Sequence, residues 1–118
     1  MNSVQLMGRL CRDPELRYFG KGKDQTAVAN YTLAIDRSYG EDAKTDFIPC
    51  VVFGAGAEFA EKYFRKGLRI AVTGRLQSGS YEDKDGKTVY TLDVYIQSQE
   101  FADSKQDDTG GNKKSGRR

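Results

Sequence analysis

The residues best suited to chemistry in this chain are aromatic rings that stand at the ends of strand-like segments. Seven Tyr and six Phe occur among 118 residues, of which 31% are charged. Because the chain is small and polar, with a mean hydropathy of −0.70, some of these rings must be exposed. Four of them are candidates for exposure by their positions: Tyr39, Phe47, Phe53 and Tyr81.

An exposed ring is a platform on which the base of an unpaired nucleotide stacks. Phe47 and Phe53 are six residues apart, so on an extended strand they share one side and lie roughly 20 Å apart. Each stacked base contributes roughly 1–3 kcal/mol whatever its identity, because every base has a π face. The four rings predict a site for a single nucleic-acid strand, with core packing or a subunit contact as the alternative. Five other rings fall on patterned apolar faces, where we expect core packing: Tyr31, Phe59, Tyr63, Phe64 and Tyr90.

Basic side chains near these rings are candidates for binding phosphate. Nine stand out: Arg9, Arg12, Arg17, Lys21, Lys23, Arg69, Arg75, Lys84 and Lys87. Each phosphate that a cation neutralises releases counterions, with a slope of log affinity against log salt of about −0.7 per contact for single strands. The net charge is only +2, and residues 1–102 carry fourteen acidic and fourteen basic side chains. Because the overall charge does not favour binding to a nucleic acid, the local arrangement of the basic side chains must do so.

Composition excludes several classes of function. Histidine is absent, which removes the commonest general base near neutral pH and the commonest metal ligand. Asp and Glu show no metal-ligand spacing, so we predict no catalytic residue, metal or cofactor, and an enzyme is the weakest hypothesis. Cys11 and Cys50 are expected to be reduced, buried thiols. No apolar run of eighteen residues occurs, so the sequence predicts no membrane span and a soluble, cytoplasmic protein.

Alternation of apolar and polar residues with period two predicts five strands that position these side chains. The strands cover residues 4–11, 27–36, 47–53, 69–77 and 89–96, and a helix covers about residues 57–66, with Gly67 as its stop. Asp85-Gly86 predicts a tight hairpin between the last two strands. Three strands, a helix and two more strands are the order of the five-stranded oligonucleotide-binding barrel, an all-β fold with one short helix and here an extended final hairpin.

Two segments of this fold need separate interpretation. Residues 47–53 are apolar on both faces, so this strand either lies under other protein on both sides or offers one apolar face to a ligand. Pro49 within it predicts an edge position or a bulge. Residues 103–118 contain no apolar side chain, and we expect them to form a disordered polar tail after a single folded domain, residues 1–102.

Short runs of sequence follow one another at a spacing that identifies a family. They are GRLCRDPELR (8–17), VANYTLA (28–34), VFG (52–54), YFRKG (63–67) and VTGRL (72–76), followed by Tyr81 and Tyr90-Thr91. Across residues 1–102 they resemble the bacterial and phage single-stranded DNA-binding proteins. The resemblance implies an oligonucleotide-binding barrel, usually a homotetramer, that wraps single-stranded DNA without sequence preference during DNA replication, recombination and repair.

The resemblance also implies roles for individual residues. The family's stacking rings fall at Tyr39, Phe47, Phe53 and Tyr81, where the family has Trp at all but the Phe53 position. No Trp occurs in this chain, so the stacking area is smaller at three sites. The chain ends in KKSGRR, whereas cellular members end in an acidic tip that recruits replication and repair enzymes. We therefore expect no recruitment through such a tip, as in a phage or mobile-element version or a shortened chain, at work in a bacterial cell or a phage-infected host.

Two hypotheses of different classes remain open for the sequence. The leading one is a non-catalytic protein that binds and protects single-stranded DNA. The alternative is an oligonucleotide-binding barrel that serves as a protein-interaction or assembly module of a replication complex, suggested by the near-neutral domain and the apolar strand at residues 47–53. The two differ in the role of Phe47 and Phe53, which bind DNA under the first hypothesis and hold subunits together under the second.

Overall fold

The computed structural model describes residues 1–37 and 44–102, so Tyr39 and the predicted tail, residues 103–118, lie outside it. Within this part of the chain there are six strands, one α-helix and a 3-10 turn at Gly22–Asp24. The strands are β1 (Val4–Leu10), β2 (Glu15–Phe19), β3 (Thr26–Asp36), β4 (Thr45–Phe53), β5 (Arg69–Glu82) and β6 (Thr88–Phe101), and the helix α1 (Ala55–Tyr63) lies between β4 and β5. Among the described helices none is both long and apolar enough to cross a membrane.

All six strands belong to one sheet that closes on itself. The order across the sheet is β1-β5-β6-β4-β3-β2, and β1 returns to pair with β3 at Arg9↔Ala34 and Leu10↔Leu33. The pairing of β4 with β6 is parallel and holds Cys50↔Val94 and Val51↔Tyr95. The prediction of an all-β fold with one short helix, whose last two strands form an extended hairpin, is confirmed.

One described strand, β2, is additional to the five that the sequence predicted. It pairs with β3 from Glu15↔Asn30 to Phe19↔Thr26. Most of its residues are exposed and only Leu16 packs against the core, so it lacks the apolar alternation by which a strand is recognised. Its pairing with β3, which a single sequence does not reveal, makes it a strand.

The interior is filled by the alternate residues that the period-two pattern predicted. Ala27, Ala29, Tyr31 and Leu33 point inward from β3 and are all buried. Other buried side chains come from β1, β4, β5, β6, α1 and the residue that follows α1: Leu10, Cys50, Val52, Ala57, Ala60, Phe64, Ile70, Val72 and Val94. Burying one large aliphatic side chain contributes about 1.5–3 kcal/mol, and a register slip by one residue would expose a whole face. The core therefore fixes which face of each strand looks outward.

The helix begins and ends earlier than the predicted residues 57–66. Gly54 adopts φ 68°, a left-handed conformation that glycine tolerates, and its carbonyl accepts the N–H groups of Ala57 and Glu58. Phe64 is already extended, although its N–H still donates to the carbonyl of Ala60 at 2.8 Å. The predicted stop at Gly67 is therefore wrong, because this residue lies in the following turn and donates to the carbonyl of Leu10.

The expectation that five rings pack in the core is correct for Tyr31 and Phe64 and wrong for Phe59, Tyr63 and Tyr90. Phe59 and Tyr63 do pack as a pair, with ring centroids 4.8 Å apart, but on the flank of α1, where Tyr63 is 50% exposed. Tyr90 is 81% exposed because β5 and β6 run on beyond the core as a two-stranded arm. Apolar and polar residues continue to alternate along this arm, but no described element covers the side on which Tyr90 lies.

The two cysteines are free thiols in different surroundings. Cys50 is buried and Cys11 is half-buried, so the expectation of burial is correct for the first and only partly met by the second. Burial raises the pKa of the Cys50 thiol to about 12, and the charge of Asp93 adds to the shift. Cys50 is therefore a neutral thiol at physiological pH and fills space in the core.

A polar contact ties the core to the helix. The Tyr31 hydroxyl donates to Oε1 of Gln99 at 2.8 Å, and Nε2 of Gln99 donates to the carbonyl of Gly56 at 2.7 Å. Gln99 thereby satisfies a hydroxyl buried in the core and a carbonyl in the first turn of α1. The contact joins β3, β6 and α1 at one point.

A β-bulge bends the hairpin of β5 and β6 where the sheet curves. Thr73 pairs with Ser98 but Gly74 pairs with Ile96, so Gln97 is an extra residue on β6. A Cβ atom on Gly74 would lie 2.2 Å from the carbonyl oxygen of Tyr95, a distance that forces the backbone to move. Glycine at position 74 therefore permits the close approach of two strands at the bend.

We predict that Gly74→Ala lowers the free energy of unfolding by about 1–3 kcal/mol, the usual range for overpacking a closely packed site. The measurement is urea denaturation followed by circular dichroism. Gly79→Ala on the same strand is the matched control, since its Cβ would meet only the Thr91 Oγ1 at 3.1 Å, a side-chain atom that moves easily. Equal stability of the two variants would contradict the conclusion that the close approach of β5 and β6 requires glycine at position 74.

Candidate nucleic-acid interface

The two faces of β4 meet different surroundings. Cys50 and Val52 point into the core and are buried. Phe47 and Phe53 point outward and are 64% and 47% exposed, respectively, with Pro49 between them on the same face. Within the single chain, the described residues cover one face of β4 and leave the face with Phe47 and Phe53 exposed.

Pro49 lies in an edge portion of β4 and causes no bulge. The register with β3 runs without interruption from Val28↔Phe53 to Asp36↔Thr45. On the other side, the pairing with β6 is confined to Cys50 and Val51, so the first half of β4 has a free edge toward β6. Proline, which has no N–H to donate, is compatible with such an edge. The backbone beside Phe47 therefore leaves room for a ligand.

Tyr81 lies on the β5–β6 arm and is 57% exposed. It pairs with Val89 across the arm and, six residues beyond Arg75, points to the same side of β5. Arg75 pairs with Tyr95 on β6, and Tyr95 pairs with Val51 on β4, so the outward sides of β4, β6 and β5 form one continuous surface. The side chains on it are those of Phe47, Phe53, Tyr95, Arg75 and Tyr81. We call this surface the outer aromatic face.

Tyr95 is a residue of this face that sequence reasoning missed. Its ring centroid lies 5.7 Å from that of Phe53, with the ring planes 35° apart. The guanidinium carbon of Arg75 lies 5.4 Å from the same ring. The sequence places Tyr90 on the apolar face of this strand, and Tyr95, five residues further on, has the opposite parity, which could have identified it.

Tyr39 lies outside the described residues, but the two ends of its loop are fixed beside Phe47. The Arg37 N–H donates to the carbonyl of Lys44 at 2.9 Å, and the Arg37 guanidinium forms an ion pair with Asp46 at 2.8 Å. This contact holds the pKa of the Asp46 carboxyl below its usual value and raises that of Arg37. The loop therefore leaves and rejoins the sheet next to the outer aromatic face.

The predicted phosphate-binding cations fall into separate groups. Arg9 and Arg69 are paired across β1 and β5, and Arg9 forms an ion pair with Asp36 at 3.1 Å. Hydrogen bonds from Thr45 and Arg9, followed by the charges of Arg9 and Arg69, hold the pKa of the Asp36 carboxyl below its usual value. Because Ala34 pairs with both Arg9 and Phe47, this group lies about 10 Å from Phe47 across the sheet.

The other cations are more dispersed. Arg17 is within 3.9 Å of Glu15 on β2, and Lys21 and Lys23 are exposed in the following loop. Lys84 and Lys87 are exposed at the tip of the arm, where Asp83 accepts the N–H groups of Asp85 and Lys87. The structure thus places Arg75 on the outer aromatic face, Arg9 and Arg69 at its side, and the lysines at its two ends.

A shallow cavity of about 220 Å³ opens between β2, β3, β4 and β6. Its polar lining includes Arg12, Glu15, Asn30, Thr32 and Asp93 around Pro49 and Val51. Arg12, one of the predicted phosphate-binding cations, is the one basic side chain among the described residues of this lining and lies near two carboxylates. Nowhere in residues 1–37 and 44–102 do three or more His, Cys, Asp or Glu side chains gather as metal ligands. The arrangement suits an extended ligand lying on a surface.

Comparison with known proteins gives a consistent result. Residues 1–102 match the Single-strand binding protein family. The chain is 46% identical over 113 residues to the Single-stranded DNA-binding protein of Clostridium perfringens, an alignment that covers 95% of this chain and 73% of the relative. It is 43% identical over 114 residues to Single-stranded DNA-binding protein 3 of Listeria innocua, covering 94% and 69%, and 40% identical over 119 residues to the Single-stranded DNA-binding protein of Oceanobacillus iheyensis, covering 94% and 72%.

We predict that Phe47→Ala and Tyr81→Ala each weaken the binding of oligo-dT by about 1–3 kcal/mol, the contribution of one stacked base. Both rings are exposed, so the thermal stability of the protein should change little. The measurement is fluorescence anisotropy of a labelled oligonucleotide, alongside a thermal melt. Tyr90→Ala is the control for Tyr81→Ala, because Tyr90 lies on the same arm with its side chain on the opposite face. Unfolding of either variant, or an equal loss in the control, would contradict the assignment.

Proposed function

The chain belongs to the single-strand binding protein family, whose members bind DNA without catalysing a reaction on it, and we propose that it holds single-stranded DNA against the outer aromatic face. Bases stack on Phe47, Phe53 and Tyr81, and on Tyr39 in the adjoining loop. Phosphates contact the nine cations Arg9, Arg12, Arg17, Lys21, Lys23, Arg69, Arg75, Lys84 and Lys87. Binding of this kind protects single-stranded DNA during DNA replication, recombination and repair, the general role of the family.

The observation that supports this proposal most is the exposure of Phe47, Phe53 and Tyr81 on one face of neighbouring strands. The three rings lie together on one surface, and a ligand that covers them removes their apolar area from water. An unpaired base does so through its π face, and a duplex, whose bases are already stacked on each other, does not.

The charge distribution supports sequence-independent binding. Residues 1–102 are electrically neutral overall, so long-range attraction to DNA is weak and affinity must come from local contacts. Stacking tolerates every base, and a phosphate is the same in every nucleotide. The aromatic residues of the outer aromatic face are Phe47, Phe53, Tyr81 and Tyr95. None of them can recognise a particular base through a bidentate hydrogen bond, because Phe has no polar atom and Tyr has only one hydroxyl.

We predict that the protein binds oligo-dT at least tenfold more tightly than a duplex of the same length, a difference of about 1.4 kcal/mol that one stacked base supplies. The slope of log affinity against log salt should be negative, with about −0.7 per phosphate contact. Titration at two salt concentrations measures both quantities. Equal affinity for the two forms of DNA would overturn the proposal.

We further propose that the chain works as a homo-oligomer, namely a tetramer, in the cytoplasm of a bacterial cell or a phage-infected host. Exposed apolar side chains away from the outer aromatic face support an assembly: Met7 on β1 and Leu76 and Leu92 on the arm are between 41% and 57% exposed. Their contact with other subunits would remove this apolar area from water. The bacterial relatives support the location.

We predict a mass of four times the 13.2 kDa of one chain by light scattering coupled to size exclusion. Phe47→Ala and Phe53→Ala should leave this mass unchanged while weakening DNA binding. The opposite pattern, loss of the assembly with DNA affinity retained, would support the alternative of an assembly module for a replication complex and contradict the stacking role. A monomeric mass for the unmodified chain would contradict the tetramer alone.

A further inference from the structure

Tyr95 occupies a central position that no stacking or phosphate role yet explains. On one side its ring contacts Phe53, with centroids 5.7 Å apart. On the other side the guanidinium carbon of Arg75 lies 5.4 Å from its centroid. Tyr95 therefore separates a proposed stacking ring on β4 from a proposed phosphate-binding cation on β5, and it touches both.

Arg75 differs in its surroundings from three other arginines of the chain. Arg9, Arg17 and Arg37 each form an ion pair with a carboxylate. Arg75 instead donates through Nη1 to Oε1 of Gln77 at 2.6 Å and lies over the Tyr95 ring. Neither contact neutralises the positive charge of Arg75. Since a guanidinium has five N–H donors, several of them remain available to bind an anion.

The two contacts of Arg75 also restrict its side chain. A free arginine loses about 2 kcal/mol of rotamer entropy when it is immobilised, and that loss weakens binding when it occurs together with the ligand. Contact with an aromatic face and a hydrogen bond to Gln77 limit this loss, because much of the ordering already exists in the free protein. Arg75 is thus a charged side chain that is held in position and forms no ion pair with a carboxylate of residues 1–37 or 44–102.

We propose that Tyr95 is a positioning residue, which holds the stacking ring of Phe53 and the guanidinium of Arg75 in a fixed relation so that a base and a neighbouring phosphate of one DNA strand are bound together. This inference rests on the proposed stacking function of the outer aromatic face. Beyond that function, it states that the Tyr95 ring couples the stacking contact at Phe53 to the phosphate contact at Arg75.

The coupling has a specific physical basis. Contact between aromatic rings is favourable at centroid distances of 4.5–7 Å, and a cation within about 6 Å of a ring centroid is attracted to the ring. Both distances at Tyr95 lie within these ranges. The hydroxyl of Tyr95 takes part in neither contact, so the ring alone is required. Removing the ring frees Phe53 and Arg75 to move independently.

The test measures the affinity for oligo-dT over a series of salt concentrations. Tyr95→Leu should weaken binding about 5- to 30-fold and make the salt slope shallower by about 0.7, the value of one phosphate contact. Tyr95→Phe, which keeps the ring, should bind as the unmodified chain does. Arg75→Gln should reproduce the change in slope, and adding Arg75→Gln to Tyr95→Leu should cause little further loss. Tyr90→Leu, the same substitution on the opposite face of β6, is the control and should have no effect.

A role of Tyr95 in the fold alone would lower stability without changing the salt slope, so the slope distinguishes the two. The inference is overturned if Tyr95→Leu keeps the original affinity and slope, or if Arg75→Gln costs as much in the Tyr95→Leu background as in the unmodified chain. If Tyr95→Leu fails to fold, the cycle of Phe53→Leu, Arg75→Gln and their double variant decides, since additive losses would overturn the coupling. Equal binding of oligo-dT and duplex by the unmodified chain would instead overturn the proposed function itself.

Discussion

Closure of the sheet through the two residue pairs between β1 and β3 determines the rest of this structure. Once Arg9↔Ala34 and Leu10↔Leu33 are made, every strand of the ring has one side toward a small interior and one side toward water. The interior is filled by aliphatic side chains with Tyr31 and Phe64, and it has no space for the remaining rings. Apolar residues with the opposite parity, such as Phe47 and Phe53, are therefore excluded from the core by geometry.

Sequence periodicity predicted the inward faces well because burial on a strand follows alternation. From Ala29 to Leu33 every second residue is buried and the residues between them are not, although Val28, with the opposite parity, is buried as well. The same reasoning failed for Tyr90, whose pattern continues along an arm that has left the core, since alternation does not reveal where the covering layer ends. The end of α1 was misplaced for a related reason: Phe64 leaves the helix to fill the core, and that tertiary gain outweighs the continuing helical pattern.

The exposure of the candidate rings was predictable residue by residue, but their arrangement relative to the cations was not. Aromatic type and position relative to the predicted strands selected Phe47, Phe53 and Tyr81, all of which the structure leaves exposed. The neighbours of a cation depend on the register between strands that are far apart in sequence, and no single chain pattern contains that register. Arg9 meets Asp36 across 27 residues, while Arg75 meets Tyr95 across the hairpin. Two arginines that looked equivalent in the sequence thus differ in how much of their charge remains available.

The corner at Gly54 connects the last residue of β4 to the first turn of α1. Phe53 comes immediately before this glycine, and Gln99 donates to the carbonyl of Gly56 two residues after it, so Phe53 and the start of α1 share one short attachment to the sheet. The position of the helix flank with Phe59 and Tyr63 is therefore set by the same few residues that set the position of Phe53.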